Sequence, residues 1–212
     1  MKKIKYIIGI DEAGRGPLAG PVSVGAALVP ADFDWAQIPG VNDSKKLTEK
    51  KREEIFEIAK KLKKEGKLDY TVSLVSAKSI DTKGIVPCIT LAIHRAIDRV
   101  VNNTINCAIN SHIDYDTYTV KLDGGLKAPE EFVYQETIIK GDSKEKVIGL
   151  ASIMAKVTRD RYMVRISAQQ EFAPYTFGIH KGYGTKKHRE SIAQNGLSIE
   201  HRKSYCKNIN VL

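Results

Sequence analysis

The apolar run Tyr6 to Ile10 stops abruptly at two acids, the pattern of a buried central strand, and Val22 to Val29 is a second apolar run without helical period. Between them lies the Gly/Pro-rich loop Ala13 to Pro21. Thr48 is the expected N-cap of a helix that carries Ile55, Ile58, Ala59 and Leu62 on one face and has Gly66 just past its end. Leu68 to Val75 then reads as a third strand, giving a ββαβ opening. Pro87 suits the first turn of a longer helix, in which Ile89, Ala92, Ile93, Ala96, Ile97, Val100 and Val101 recur with a 3.6-residue period. Ile105 to Ile109, Tyr118 to Leu122 and Glu136 to Ile139 are predicted strands, and Val147 to Met163 and Lys186 to Gln194 predicted helices. The chain contains no internal repeat or low-complexity tract.

Composition narrows the class. The 212 residues are 42% hydrophobic and 28% charged, the range of an ordinary globular α/β protein with one sizeable core. A formal charge of +9 suits a protein that meets polyanions. Cys88, Cys107 and Cys206 lack the spacings of zinc sites or redox pairs and are expected as free thiols in a reducing cytoplasm. The N-terminal apolar stretch is too short for a signal-peptide core, and no segment approaches the ~20 apolar residues of a membrane span.

Three predicted strands run into acids: Ile10 into Asp11 and Glu12, Leu122 into Asp123, and Ile139 through Lys140 and Gly141 into Asp142. Sites in open α/β sheets lie at strand ends, so these four carboxylates are candidates for convergence from distant parts of the chain. Successive strand side chains face opposite ways, so Asp11 and Glu12 are expected to share a site only if the strand stops there and the backbone turns, as Ala13 to Gly16 would allow. An all-oxygen set without His or Cys suits Mg²⁺ or Mn²⁺, and a two-metal site of this kind implies phosphoryl chemistry.

Other readings of the same segments fare worse. Gly9 to Gly16 approximates a P-loop but lacks its Lys and Ser/Thr, and Gly14-x-Gly16-x-x-Ala19 matches a dinucleotide fingerprint that Pro17 and Pro21 interrupt and no helix follows. Gly14 and Gly16 are expected to let the backbone approach a substrate, with Arg15 offering a charge. Asp43 to Leu47 (DSKKL) and His180 to Thr185 (HKGYGT) would suit phosphate contacts and sugar or base stacking. His94, His188 and His201 have no ligand spacing and read as surface or satisfied core residues.

The stretches Gly9 to Pro21 (GIDEAGRGPLAGP), DSKKL at 43–47, LDG at 122–124, KGD at 140–142, ASIMAKVTRD at 151–160 and HKGY at 180–183 closely resemble those of ribonuclease HII, in the same order and across nearly the whole chain. The resemblance implies an RNase H-like fold, a mixed sheet flanked by helices over about residues 1–165, with a C-terminal helical extension over about 166–212 in one catalytic domain. It also implies cleavage of RNA paired with DNA, and of duplex DNA on the 5′ side of an embedded ribonucleotide, leaving 3′-hydroxyl and 5′-phosphate ends, by a cytoplasmic monomer.

Carried over by position, Asp11, Glu12, Asp123 and Asp142 match the family's metal-binding catalytic acids, and Gly14, Arg15 and Gly16 its 2′-hydroxyl-reading loop. Tyr183 matches its junction-sensing tyrosine, and Ser44, Lys45 and Lys46 fall in its phosphate-contact region; Asp160 is expected to be structural. The chain departs from the family pattern at Gly149-Leu150 and at Lys83-Gly84-Ile85, both outside the acid set. A DNA nuclease or resolvase with similar carboxylates, and a binding module that has lost its metal, are the competing readings; all-DNA substrates and one test of metal-dependent cleavage separate them.

Overall fold

The computed structural model describes residues 3–41, 44, 46–105 and 113–209. Its elements follow in the order β1 (Tyr6–Ala13), β2 (Val22–Pro30), α1 (Glu49–Lys64), β3 (Asp69–Val75), α2 (Ala77–Lys83), α3 (Ile85–Ile105), β4 (Tyr118–Asp123), β5 (Gln135–Ile138), α4 (Gly141–Lys144), α5 (Lys146–Ser167), α6 (Phe177–His180) and α7 (Lys186–Asn195). The strands form one sheet in the order β3-β2-β1-β4-β5. β1 pairs antiparallel with β2 and parallel with β4, so the sheet is mixed, as expected.

Strand alternation sends alternate side chains to opposite faces, each covered by helix. Ile8, Ile10, Val22, Val24, Ala26 and Leu28 pack with the apolar face of α3, whereas Ala27 and Val29 pack with α1 and α5. Every residue of α5 from Val147 to Ala155 is buried, because the helix is held between the sheet and α1. Two strand glycines permit this: a Cβ on Gly9 would lie 2.3 Å from the Val147 carbonyl oxygen, and one on Gly25 2.2 Å from that of Ala151. A third cluster, built from Ala19, Met163, Phe172, Phe177 and Ile192 among others, joins the C-terminal segment to the loop after β1.

Thr48 caps α1 by accepting the Lys51 N–H, and Pro87 falls in the first turn of α3. At the family departure, Gly84 ends α2 at φ 84° and Ile85 begins α3. Two expectations need correction. The short helix α2, capped by the Ser76 hydroxyl, was not foreseen. Nor does β1 stop at Ile10: it runs through Asp11 and Glu12 to Ala13, because its pairing with β2 continues to Ala13↔Ser23 after its pairing with β4 has ended at Ile10↔Leu122. The strand expected at Ile105 to Ile109 begins on the last residue of α3 and otherwise lies outside the described residues. Among the described residues, no helix is long and apolar enough to cross a membrane.

Candidate metal centre and nucleic-acid loop

β4 ends on Asp123, whose neighbour on β5 is Ile138. The last β1–β4 pair is Ile10↔Leu122, so Asp11 and Asp123 occupy the next positions at the carboxyl ends of adjacent parallel strands. After β5, Lys140 turns the chain at φ 56°, and the Gly141 N–H donates to Asp123 Oδ1 at 2.6 Å. That bond sets the following residue, the buried Asp142 in the first turn of α4, at the same end of the sheet. A Cβ at Gly141 would fall 2.6 Å from Ile148 Cδ1, so this turn has room for glycine alone without repacking.

Asp11 and Glu12 both feel the charge of Asp123 although they are consecutive on a strand. Asp11 is 4% exposed, and Glu12 is partly buried. Burial drives the Asp11 carboxyl up to about 8; repulsion from Glu12 and Asp123 adds to this, while the Ser152 hydroxyl and the Glu12 N–H, 2.7 Å from Asp11 Oδ1, oppose it. Burial also raises Glu12, against the pull of Arg15, whose Nη1 is 3.4 Å from Glu12 Oε1. Among the described residues no three His, Cys, Asp or Glu side chains stand close enough to hold an ion as they are. The acids nevertheless fit a hard divalent cation: the donors are all oxygen, and the burial and mutual repulsion that disfavour their anions are what a cation would relieve.

A stability prediction follows from Asp11. A carboxyl with a raised folded pKa favours the folded state most below its ordinary value of 3.8, and this contribution is lost as pH rises to about 8. With metal chelated, Asp11→Asn should therefore melt above wild type at about pH 8.5. The advantage should shrink towards pH 4. Parallel melting curves for the two proteins across that range would refute the burial argument.

The loop after β1 is held from behind by two arginines that are each 0% exposed. Arg159 donates from Nε to the Pro21 carbonyl at 2.9 Å, from Nη1 to that of Lys181 at 2.9 Å and from Nη2 to that of Ala19 at 3.0 Å. Arg202 donates from Nε to Gly20 at 3.0 Å, from Nη1 to Arg15 at 3.0 Å and from Nη2 to Gly14 at 2.6 Å. Backbone bonds from Leu18 to Gly182 and from Gly20 to Glu200 complete the attachment. The two glycines of the loop are not equivalent. Gly14 is buried at φ 88°, and its Cβ would lie 2.1 Å from Arg159 Nε. Gly16 is exposed, and among the described residues no atom lies within 4 Å of a Cβ built there.

Tyr183 stands beside this loop, 43% exposed, with Lys156 Nζ 5.5 Å and Arg159 Cζ 5.7 Å from its ring centre. Its carbonyl accepts from His188 Nδ1 at 2.9 Å, and His188 Nε2 is 3.1 Å from His201 Nε2. The Ser198 N–H donates to His201 Nδ1, so the His201 proton sits on Nε2 and points at His188, whose own proton serves Tyr183. Burial pushes both imidazoles down to about 4, which keeps them neutral. These histidines are the satisfied core residues that their spacing suggested, while His94 is exposed.

Ser44 is buried, with its hydroxyl 2.8 Å from that of Ser152, and Arg52 Nη1 holds its carbonyl at 2.9 Å. Lys46 is exposed, and Asp43 and Lys45 lie outside the described residues. Asp160 is buried and takes Lys156 Nζ at 2.9 Å, a contact within α5. Cys88 and Cys206 are free and buried; Cys107 lies outside the described residues.

A family model described as "Ribonuclease HII" matches residues 8–208. The chain is 42% identical to a ribonuclease HII of Endomicrobium trichonymphae over 94% of its own length and 84% of that protein's. It is 43% identical to one of Clostridioides difficile over 96% of its length and 71% of that protein's. A crystal structure of ribonuclease H2 from Pyrococcus horikoshii superposes with a TM-score of 0.65 at 25% identity, covering 96% of each chain.

Proposed function

The chain belongs to the ribonuclease HII family, and on that premise we propose that it hydrolyses the RNA strand of RNA/DNA hybrids and cuts on the 5′ side of ribonucleotides embedded in duplex DNA, leaving 3′-hydroxyl and 5′-phosphate ends. Asp11, Glu12, Asp123 and Asp142 are the metal ligands in this reading, and the observation that supports it is that Asp11 and Asp123 stand just past the last parallel pair of β1 and β4, with the Asp123 charge felt by Asp11 and Glu12 and its Oδ1 bonded to the Gly141 N–H beside Asp142. Bound Mg²⁺ or Mn²⁺, as a pair, supplies charge stabilisation for the attacking and leaving oxygens of an in-line displacement. Glu12 has a second duty, since its ion pair with Arg15 ties the acid cluster to the loop. The enzyme acts as a cytoplasmic monomer with one catalytic domain over 1–212, whose part from about 166 onward supports Tyr183 and the loop.

Substrate selection falls to the backbone of Gly14, Arg15 and Gly16, where Arg202 holds the carbonyls of Gly14 and Arg15 from the inside and Gly16 is exposed to solvent. A peptide group approaches a ribose 2′-hydroxyl only where no side chain intervenes. Tyr183 offers its ring to a sugar or base beside the junction, with Lys156 close by for a phosphate. Lys45 and Lys46 extend the phosphate contacts, and Ser44 belongs to the same segment with its hydroxyl turned inward.

The test compares wild type and Gly16→Ala on three matched duplexes: one embedded ribonucleotide, its 2′-O-methyl form, and DNA alone. Wild type should cut the first and spare the other two by at least ~10⁴-fold, because a site built to bond a hydroxyl rejects its absence strongly. Gly16→Ala should slow cleavage of the first roughly tenfold or more without lowering the melting temperature, since its Cβ meets only solvent and substrate. Equal wild-type rates on all three would overturn the proposal, and an unimpaired variant would move hydroxyl recognition away from this loop.

A further inference from the structure

Arg202 stands at the head of a short 3₁₀ turn, Lys203–Tyr205, in the position from which a side chain ordinarily caps the first N–H groups. Its guanidinium is committed to Gly14, Arg15 and Gly20 and makes no such bond. The cap comes instead from Asp81 on α2, 122 residues before Lys203. Asp81 Oδ2 accepts the Lys203 N–H at 2.8 Å, while Oδ1 accepts the Ser204 N–H at 2.9 Å and the Ser204 hydroxyl at 2.6 Å. Both carboxylate oxygens are engaged by this one turn.

The contact reaches Arg202 through the backbone. The Lys203 N–H and the Arg202 carbonyl belong to one planar peptide, so a bond that fixes the first orients the second, and with it the residue that carries the guanidinium. On its other side Arg202 donates its own N–H to the Leu18 carbonyl at 2.8 Å, a partner within the loop that it supports. Asp81 is anchored elsewhere. Its neighbour Ile80 is buried in the cluster formed by β1, β2 and α3, and Tyr205, at the end of the turn, packs against the same cluster. Asp81 thus fixes Arg202 relative to the sheet, where the acids stand, and not only relative to the loop.

We propose that Asp81 is a positioning residue for ribonucleotide selection, which holds Arg202, and through Arg202 the Gly14 and Arg15 carbonyls, in register with the acids on the sheet. Its hydrogen bonds go to Lys203 and Ser204, so the loop feels Asp81 only through the turn and Arg202. The two residues act in series.

This inference rests on the loop reading the 2′-hydroxyl, and one set of measurements separates the two. For the full-length protein, kcat and KM would be measured on a duplex with one embedded ribonucleotide, and the matched all-DNA duplex assayed both as substrate and as competitive inhibitor. The variants are Asp81→Ala, Asp81→Asn, Arg202→Lys and the double variant Asp81→Ala/Arg202→Lys, with folding followed by circular dichroism. Asp81 is only partly buried, so both of its single variants should fold. Asp81→Ala should lower kcat/KM on the ribonucleotide duplex roughly tenfold, the order expected when a substrate-positioning group shifts by a fraction of an ångström. Its Ki for the all-DNA duplex should stay within about twofold, because phosphate contacts carry that affinity. Asp81→Asn keeps one carbonyl oxygen as acceptor and should lose less, in the same direction. The double variant should lose less than the two single losses multiplied together, since one residue acts through the other.

Unchanged kcat/KM in Asp81→Ala, with wild type still rejecting DNA, would overturn the positioning role and leave the reading of the loop intact. Equal weakening towards both duplexes would show a general loss of structure and would overturn it as well. Fully multiplicative losses in the double variant would show that Asp81 acts by a route other than Arg202. A wild type that cuts both duplexes equally fast would remove hydroxyl reading from the loop, and the role of Asp81 with it.

Discussion

Asp123→Asn is expected to abolish turnover while leaving the protein folded. Asp123 ends β4 between the acids of β1, which feel its charge, and the turn before Asp142, whose Gly141 N–H it accepts. Its fold-building task is to accept the Gly141 N–H through Oδ1, and an asparagine keeps that oxygen. What asparagine lacks is the charge. Removing one carboxylate from a set that neutralises metal ions at the reacting phosphate should lower kcat by at least ~10³-fold, about 4 kcal/mol of barrier. The melting temperature without metal should stay level or rise, since one repelling charge leaves Asp11 and Glu12. Asp123→Ala should behave differently: it also releases the Gly141 N–H and loosens the turn before Asp142. Activity of Asp123→Asn near that of wild type at saturating Mg²⁺ would remove Asp123 from the metal site.

The acids stood out as candidates because the pattern that marks them is local: an apolar run that a central strand must bury, cut off by a group that cannot be buried without a purpose. The stop inferred at Ile10 was wrong for a reason no local pattern carries. Whether a strand continues depends on its partner, and β2 keeps pairing with β1 past the point where β4 leaves it. Gly14 and Gly16 look alike in sequence, yet only the packing of Arg159 separates a glycine the fold requires from one left open to solvent. Arg159 and Arg202 were the least legible residues of all. Arginine in a basic chain reads as surface charge, and the partners of both are loop carbonyls up to 188 residues away, which no spacing reveals.

Those two arginines carry the largest stability effect expected in the molecule. Burial lowers the pKa of both, that of Arg202 to about 10, where repulsion from Arg159 adds to it, while Tyr183 and Asp160 oppose it at Arg159. The fold bears that cost in exchange for six carbonyls of 14–21 and 181 satisfied by rigid, planar donors. Arg202→Met keeps much of the aliphatic volume but leaves the carbonyls of Gly14, Arg15 and Gly20 without these donors, in places where water has little access. Stranding several buried acceptors at once should cost roughly 3–5 kcal/mol in chemical denaturation. Arg202→Lys, which keeps a charge but not the fork, should recover only part of it. In the protein that still folds, the Gly14–Gly16 backbone loses its inner support, so the preference for a ribonucleotide over its 2′-O-methyl form should fall together with stability. A loss under about 1 kcal/mol in Arg202→Met, with selectivity intact, would show that the loop is held by its backbone bonds to Gly182 and Glu200 instead.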